Sequence, residues 1–248
     1  MSDNENRTGT TASLTLCKVS FRYPRGKRMI LKDICAEFVP GRLYTLEGES
    51  GAGKSTLLTL LAGLASPTSG RVLYGGEDIR NYGTGGSAKG EPDKTPRSAR
   101  GLTLYRRNVA ALIPQANLLF DGRTVMENVL YPMLMKGADR DEAVEKARGY
   151  LLDVKLAEEL WYRFPGECSG GEQKRAAFAR AMALDNPVIL ADEPTANLDR
   201  GTAAIVSEIL RMLAKDRGRL VAVVTHEDVI PAAADERLFL RGGVLERE

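Results

Sequence analysis

Residues 42–64, RLYTLEGESGAGKSTLLTLLAGL, constrain the fold more than any other stretch. An apolar run, Leu43-Tyr44-Thr45-Leu46, stops at Gly48, and a loop follows: Gly48, Glu49, Ser50, Gly51, Ala52, Gly53. Lys54, Ser55 and Thr56 close it, after which Leu57, Leu58, Leu60, Leu61 and Leu64 recur at helical spacing. Gly63 and Pro67 mark the helix end. The stretch therefore reads strand, glycine loop, helix, which is the context a G-x-x-x-x-G-K-[ST] phosphate-binding loop requires. Glycines let the backbone take strained angles and approach an anion with no β-carbon in the way. Their N–H groups and the positive end of the helix form a nest for phosphate oxygens. Lys54 can reach the β- and γ-phosphates, and the Ser55 hydroxyl can ligate Mg²⁺. A glycine turn before an ordinary helix is the plainer alternative; the strand and helix visible on either side argue against it.

The chain has 248 residues, enough for one large domain or two intimate ones with a buried core. A net charge of +2 gives no bulk-charge argument for a nucleic-acid partner. No apolar stretch approaches the ~20 residues of a membrane span, and the polar start, MSDNENRTGTTAS, does not read as a signal peptide. A soluble, cytosolic chain is expected. Cys17, Cys35 and Cys168 suggest neither a disulfide framework nor a zinc site.

Residues 1–12 are polar and expected to be frayed. Residues 13–23 and 29–39 read as strands of a small antiparallel sheet, with Tyr23 at the end of the first. An aromatic there can stack on a purine, or can simply be a strand aromatic. Arg71 to Tyr74 is a short strand. Residues 83–107 are rich in Gly, Pro and basic side chains and are expected to form a long mobile loop. That loop is either a solvated insertion or a contact for lipid headgroups or an acidic partner. Residues 108–113 form a strand closed by Pro114-Gln115, where the Gln115 amide can bridge a metal or water, or cap a turn. Residues 124–135 read as a helix kinked or broken at Pro132, and 139–154 as an amphipathic helix. Together they belong to a helical insertion over about 116–185.

Residues 168–185, CSGGEQKRAAFARAMALD, open on a capping box, Ser169-Gly170-Gly171-Glu172. The two glycines bare the first N–H groups of a helix whose start is positive, so this is either a second anion site or a well-capped structural helix. The apolar run Pro187 to Ala191 reads as a buried parallel strand ending in Asp192-Glu193-Pro194. Neighbouring residues at a strand end point different ways, so Asp192 can hold Mg²⁺ through water while Glu193 orients or deprotonates an attacking water. Residues 195–199 lead into a helix to about Lys215, and 219–224 form another buried strand. His226, the only histidine, stands just beyond it, at the strand end where open parallel sheets place ligands. A hairpin turned at Gly242-Gly243 closes the chain.

The ordered set GESGAGKST, Gln115, CSGGEQKR, VILADEP, NLD and His226 resembles the ATP-binding-cassette ATPases over nearly the whole chain, from Tyr23 to the final hairpin. CSGGEQKR and ADEPTANLD look most like the branch serving lipoprotein-releasing and macrolide- or peptide-exporting systems. The resemblance implies an α/β fold: a P-loop NTPase (RecA-like) core of mainly parallel sheet, with an antiparallel β subdomain and a helical subdomain. It makes Tyr23 the adenine-stacking aromatic, residues 48–56 the triphosphate cradle, and Gln115 a Mg²⁺ contact that senses the γ-phosphate. Ser169, Gly170 and Gly171 would touch ATP on the opposite subunit. Asp192 would be the Walker B acid, Glu193 the catalytic carboxylate, Asp199 the subunit-crossing aspartate and His226 the switch on the γ-phosphate.

By the same resemblance the chain is an ATPase using ATP and Mg²⁺. It dimerises with an identical chain or close paralogue and drives separate transmembrane permease subunits from the cytoplasmic face of the membrane. The alternative is a related ATPase that signals to a membrane partner without moving a substrate. A chromosome or DNA-repair ATPase would need a coiled coil that the chain lacks, and a small-molecule kinase would not need the second anion-binding helix start. Cys168 stands where the family has leucine, and only local packing is expected to differ.

Overall fold

The computed structural model describes residues 12–84, 97–116, 118–226 and 230–247. Most of the expected frayed start, residues 1–11, and the centre of the expected loop, residues 85–96, lie outside them.

Strands β1 (Leu14–Phe21), β2 (Leu31–Phe38), β4 (Ser69–Tyr74) and β5 (Glu77–Asp78) form an antiparallel sheet in the order β2-β1-β4-β5. The second sheet holds β3 (Leu43–Glu47), β6 (Ala110–Ile113), β7 (Val188–Asp192), β8 (Leu220–Val224), β9 (Glu236–Arg241) and β10 (Val244–Arg247). Its order is β10-β9-β3-β8-β7-β6, parallel throughout except for the terminal β9–β10 hairpin.

The apolar runs of β3, β7 and β8 are explained by burial on both faces. Leu43, Ile189, Ala191, Val221 and Val223 pack into one core. That core is shared with helices α3 (Val125–Met135), α4 (Arg140–Asp153), α5 (Gly170–Ala183) and α6 (Arg200–Lys215). Their strand neighbours Tyr44, Leu46, Val188, Leu190 and Ala222 pack into a second core, with α1 (Lys54–Leu61), α2 (Arg97–Asn108) and the antiparallel sheet. Alternation along each strand thus joins the two halves of the molecule across one sheet.

One expectation is corrected. Residues 97–108 are not loop but the helix α2. Its apolar side chains Leu102, Tyr105 and the following Val109 recur at helical spacing and face the second core. Gly101 admits the close approach: a β-carbon there would lie 2.2 Å from the Arg80 carbonyl oxygen. Tyr105 is fully buried and donates to the Leu61 carbonyl at 2.8 Å. Pro132 does not break α3, which runs on to Met135 with Pro132 buried. Asn128, fully buried, anchors the segment before that helix: Oδ1 accepts from the Phe120 N–H at 2.7 Å, and Nδ2 donates to the carbonyls of Phe120, Arg123 and Thr124. Cys168 fills its place in the first core, 8% exposed.

Tyr105→Phe leaves the Leu61 carbonyl without its donor, and is expected to destabilise the fold by about 1–3 kcal/mol in urea unfolding. An unchanged midpoint would mean that the hydrogen bond from Tyr105 to Leu61 contributes nothing to the stability of the fold.

Candidate functional site: a phosphate cradle at the carboxyl edge of the parallel sheet

The cradle begins where β3 ends. Gly48 has φ 142, and a β-carbon there would stand 2.5 Å from the Leu240 carbonyl oxygen, so only glycine passes under β9. Gly51 (φ 76) and Gly53 (φ 107) also lie in the left-handed region that side chains disfavour. Gly53 is the N-cap of α1 and offers no side chain to the first N–H groups of that helix. Those donors, at the positive end of the helix dipole, suit an anion. Lys54 is 6% exposed, and its Nζ donates to the carbonyls of Gly48 at 2.8 Å and Glu49 at 3.0 Å. Burial holds its pKa below the ordinary lysine value, against the pull of Glu193 and Asp192.

Both acids arrive from the end of β7, which β8 separates from β3 in the sheet. Ser55 Oγ donates to Asp192 Oδ1 at 3.2 Å, at the end of β7. Glu193 follows at φ 45, a left-handed angle uncommon for a glutamate, and its N–H is fixed on the Val224 carbonyl at 2.8 Å. That turn aims its carboxylate at His226. The imidazole Nε2 lies 3.2 Å from Oε1, and the His226 N–H donates to Oε2 at 3.3 Å. Burial raises the Glu193 pKa above the ordinary carboxylate value, and His226 only partly offsets this. A raised pKa and a fixed aim suit a carboxylate to accept a proton.

One cleft of about 670 Å³ is lined by Tyr23, Ser50, Gly51, Gly53, Lys54, Ser55, Thr56, Gln115, Asp192, Glu193 and His226. Tyr23 is half exposed at its rim, and its hydroxyl shares a 2.9 Å hydrogen bond with the Thr56 hydroxyl. Gly48, Glu49 and Ala52 line an adjoining hollow on the other side of the loop. Ser169, Gly170, Gly171 and Asp199 line neither. Ser169 caps α5 with the expected box: Glu172 N–H donates to its Oγ, and Glu172 Oε2 accepts from its N–H at 2.7 Å. Asp199 caps α6, accepting from the Thr202 N–H at 3.1 Å and the Thr202 hydroxyl at 2.6 Å. These two helix starts touch, since a β-carbon on Gly171 would sit 2.8 Å from Thr202 Cγ2.

Three cleft residues escaped the sequence reading: Ile30, Ala196 and Asn197. Ile30 lines the wall behind Gly53, and an isoleucine in a strand-like stretch carries no signal of such a place. Asn197 lies at φ 62, and an asparagine just before a helix-capping aspartate is a readable sign of a left-handed turn.

A strand–glycine loop–helix cradle, with an acid pair at the end of another strand of the same parallel sheet, defines a P-loop nucleoside triphosphatase. Within that class, the family model described as ABC transporter matches residues 31–196, and the chain belongs to that family. It is similar to the lipoprotein-releasing system ATP-binding protein LolD of Geobacter metallireducens, 39% identical over 199 residues covering 80% of this chain and 81% of that one. It is 34% identical to the ABC transporter ATP-binding protein YtrE of Bacillus subtilis, over 88% of this chain and 87% of that one. It is 37% identical over 94% of its length to the macrolide export ATP-binding/permease protein MacB of Salmonella choleraesuis, covering 34% of that larger protein. A dimeric ATP-binding cassette solved in a post-hydrolysis state with ADP and Pi superposes with a TM-score of 0.79 at 29% identity, over 95% of this chain and 97% of that one. The chain is an ABC-type ATPase that binds ATP.

Because the Glu193 pKa is raised by folding, the folded state holds a proton more readily than the unfolded chain. The group therefore favours folding at low pH, and this contribution is lost as pH rises from the ordinary carboxylate value through the raised one. Glu193→Gln has no charge to bury. It is expected to melt higher than the wild type at neutral pH, with the gap closing towards about pH 4. A variant that melts lower at neutral pH would show that the carboxylate is not held under strain.

Proposed function

We propose that this chain is the ATP-hydrolysing subunit of a transporter, dimerising around two ATP molecules and driving separate transmembrane permease subunits from the cytoplasmic face of the membrane. The observation that carries this reading is the separation of two anion-ready helix starts. The start of α1 opens into the chain's own cleft, whereas the Ser169 corner of α5 lies outside it. A γ-phosphate gripped by one chain is then capped by Ser169, Gly170 and Gly171 of a second copy, with Asp199 crossing beside them. The close packing of Gly171 on Thr202 holds these two groups as one surface.

In this reading Tyr23 stacks on adenine at the cleft rim and residues 48–56 hold the triphosphate. Lys54 gives up its carbonyl partners for the β- and γ-phosphates. Ser55 and Asp192 already lie side by side, and with the Gln115 amide they make an all-oxygen set suited to a hard cation, so these three residues would hold Mg²⁺. Bound there, the ion supplies charge neutralisation at the β- and γ-phosphates. Glu193 accepts a proton from the attacking water, and His226 fixes that carboxylate and contacts the γ-phosphate. Loss of the γ-phosphate removes what the Ser169 corner binds, and the dimer opens.

Among the described residues no helix is long and apolar enough to cross a membrane, in keeping with a separate permease. The docking face we assign to it runs from Gln115 to Met135. There Leu118, Phe120 and Met135 are exposed, Phe120 meets Tyr131 edge-on at 5.2 Å, and the Arg123 guanidinium covers Tyr131.

Glu193→Gln is expected to lower turnover by about 10²–10⁴ while ATP binding persists. On size exclusion the same variant should run as a dimer with ATP and as a monomer without it. Near-normal turnover would remove Glu193 from the role of base, and a monomer at high concentration with ATP would remove the shared site.

A further inference from the structure

Lys174 is a buried cation that the cycle above does not use. It sits on α5 just past the first turn from Ser169, and only 3% of it is exposed. Among the described residues no carboxylate pairs with it. Its ammonium donates instead to the main-chain carbonyls of Gln115 at 2.7 Å and Pro114 at 3.4 Å. Burying an ammonium against neutral carbonyls is costly, and an apolar side chain of similar size commonly serves a fold as well or better. The same helix holds the chain again just beyond: Arg180 donates to the Leu118 carbonyl and its guanidinium lies 4.4 Å from the Phe120 ring centre. The segment carrying Gln115 is thus gripped by the helix whose capped start is the Ser169 corner.

We propose that Lys174 is a positioning residue for ATP hydrolysis: by binding the Gln115 and Pro114 carbonyls it fixes the Gln115 amide in the cleft and ties it to the Ser169 corner. The proposal rests on the reading of Gln115 as the γ-phosphate contact. Lys174 does not line the cleft; it acts on turnover only through Gln115. Without the ammonium, water reaches the carbonyls at the exposed end of β6, and the amide is no longer held in one place. A misplacement of about 1 Å in a catalytic contact is worth up to about a hundredfold in rate.

The test is a double-mutant cycle on the intact chain, with ATPase kinetics and thermal melting measured on every variant. Lys174→Met is expected to lower kcat about 10- to 100-fold, with little change in KM for ATP and no fall in melting temperature. Lys174→Arg, which keeps the donors, should recover most of the loss. Gln115→Ala should show a similar loss, and adding Lys174→Met to it should cost nothing more. Additive losses, or a Lys174→Met loss that follows a fall in melting temperature, would overturn the proposal and leave the reading of Gln115 intact. A Gln115→Ala enzyme with wild-type turnover would overturn both.

Discussion

The site depends on a main chain that runs where side chains cannot. At Gly48 the chain passes so close beneath β9 that a single added carbon would collide with the Leu240 carbonyl. At Gly51 and Gly53 it turns through left-handed angles that side chains disfavour. Helix α1 then starts with no side chain over its first donors. An uncapped helix start costs stability. Here that cost is tolerated at the edge of a sheet buried on both faces, whose packing over-determines the loop.

From that constraint the rest of the site follows by geometry. Parallel strands end together, so whatever follows β3, β6, β7 and β8 shares one rim. Lys54 comes from the first, Gln115 from the second, Asp192 and Glu193 from the third, and His226 from the fourth. The left-handed turn at Glu193 separates two adjacent acids into different tasks. Asp192 meets the Ser55 hydroxyl, and Glu193 meets the imidazole. Burial then raises the Glu193 pKa above the ordinary carboxylate value.

The parts of this arrangement that were legible in the sequence are those set by local chemistry. A glycine loop between a strand and a helix, a capping box, and acids closing an apolar run each carry their geometry within a few residues. The antiparallel sheet and the terminal hairpin were readable for the same reason. Helix α2 was not, because its Arg-rich sequence and Gly101 look like loop, and its stability comes from docking Tyr105 and Leu102 against α1 and β4. Helix α3 was readable to Met135 despite Pro132: near the C-terminal end of a buried helix its missing N–H leaves the rest of the helix intact. Ile30 and Lys174 owe their places to tertiary neighbours alone. No local pattern marks an isoleucine that walls a cleft, or a lysine whose ammonium is spent on the carbonyls of a distant strand end.

The central claim is that two copies of this chain complete each other's nucleotide site. A crystal structure of the Glu193→Gln variant with ATP measures this most directly. The account predicts a symmetric dimer with Ser169 Oγ within about 3 Å of the γ-phosphate held by the other copy's Lys54. A Ser169 corner facing bulk solvent, with no neighbour's nucleotide within reach in any assembly, would contradict it.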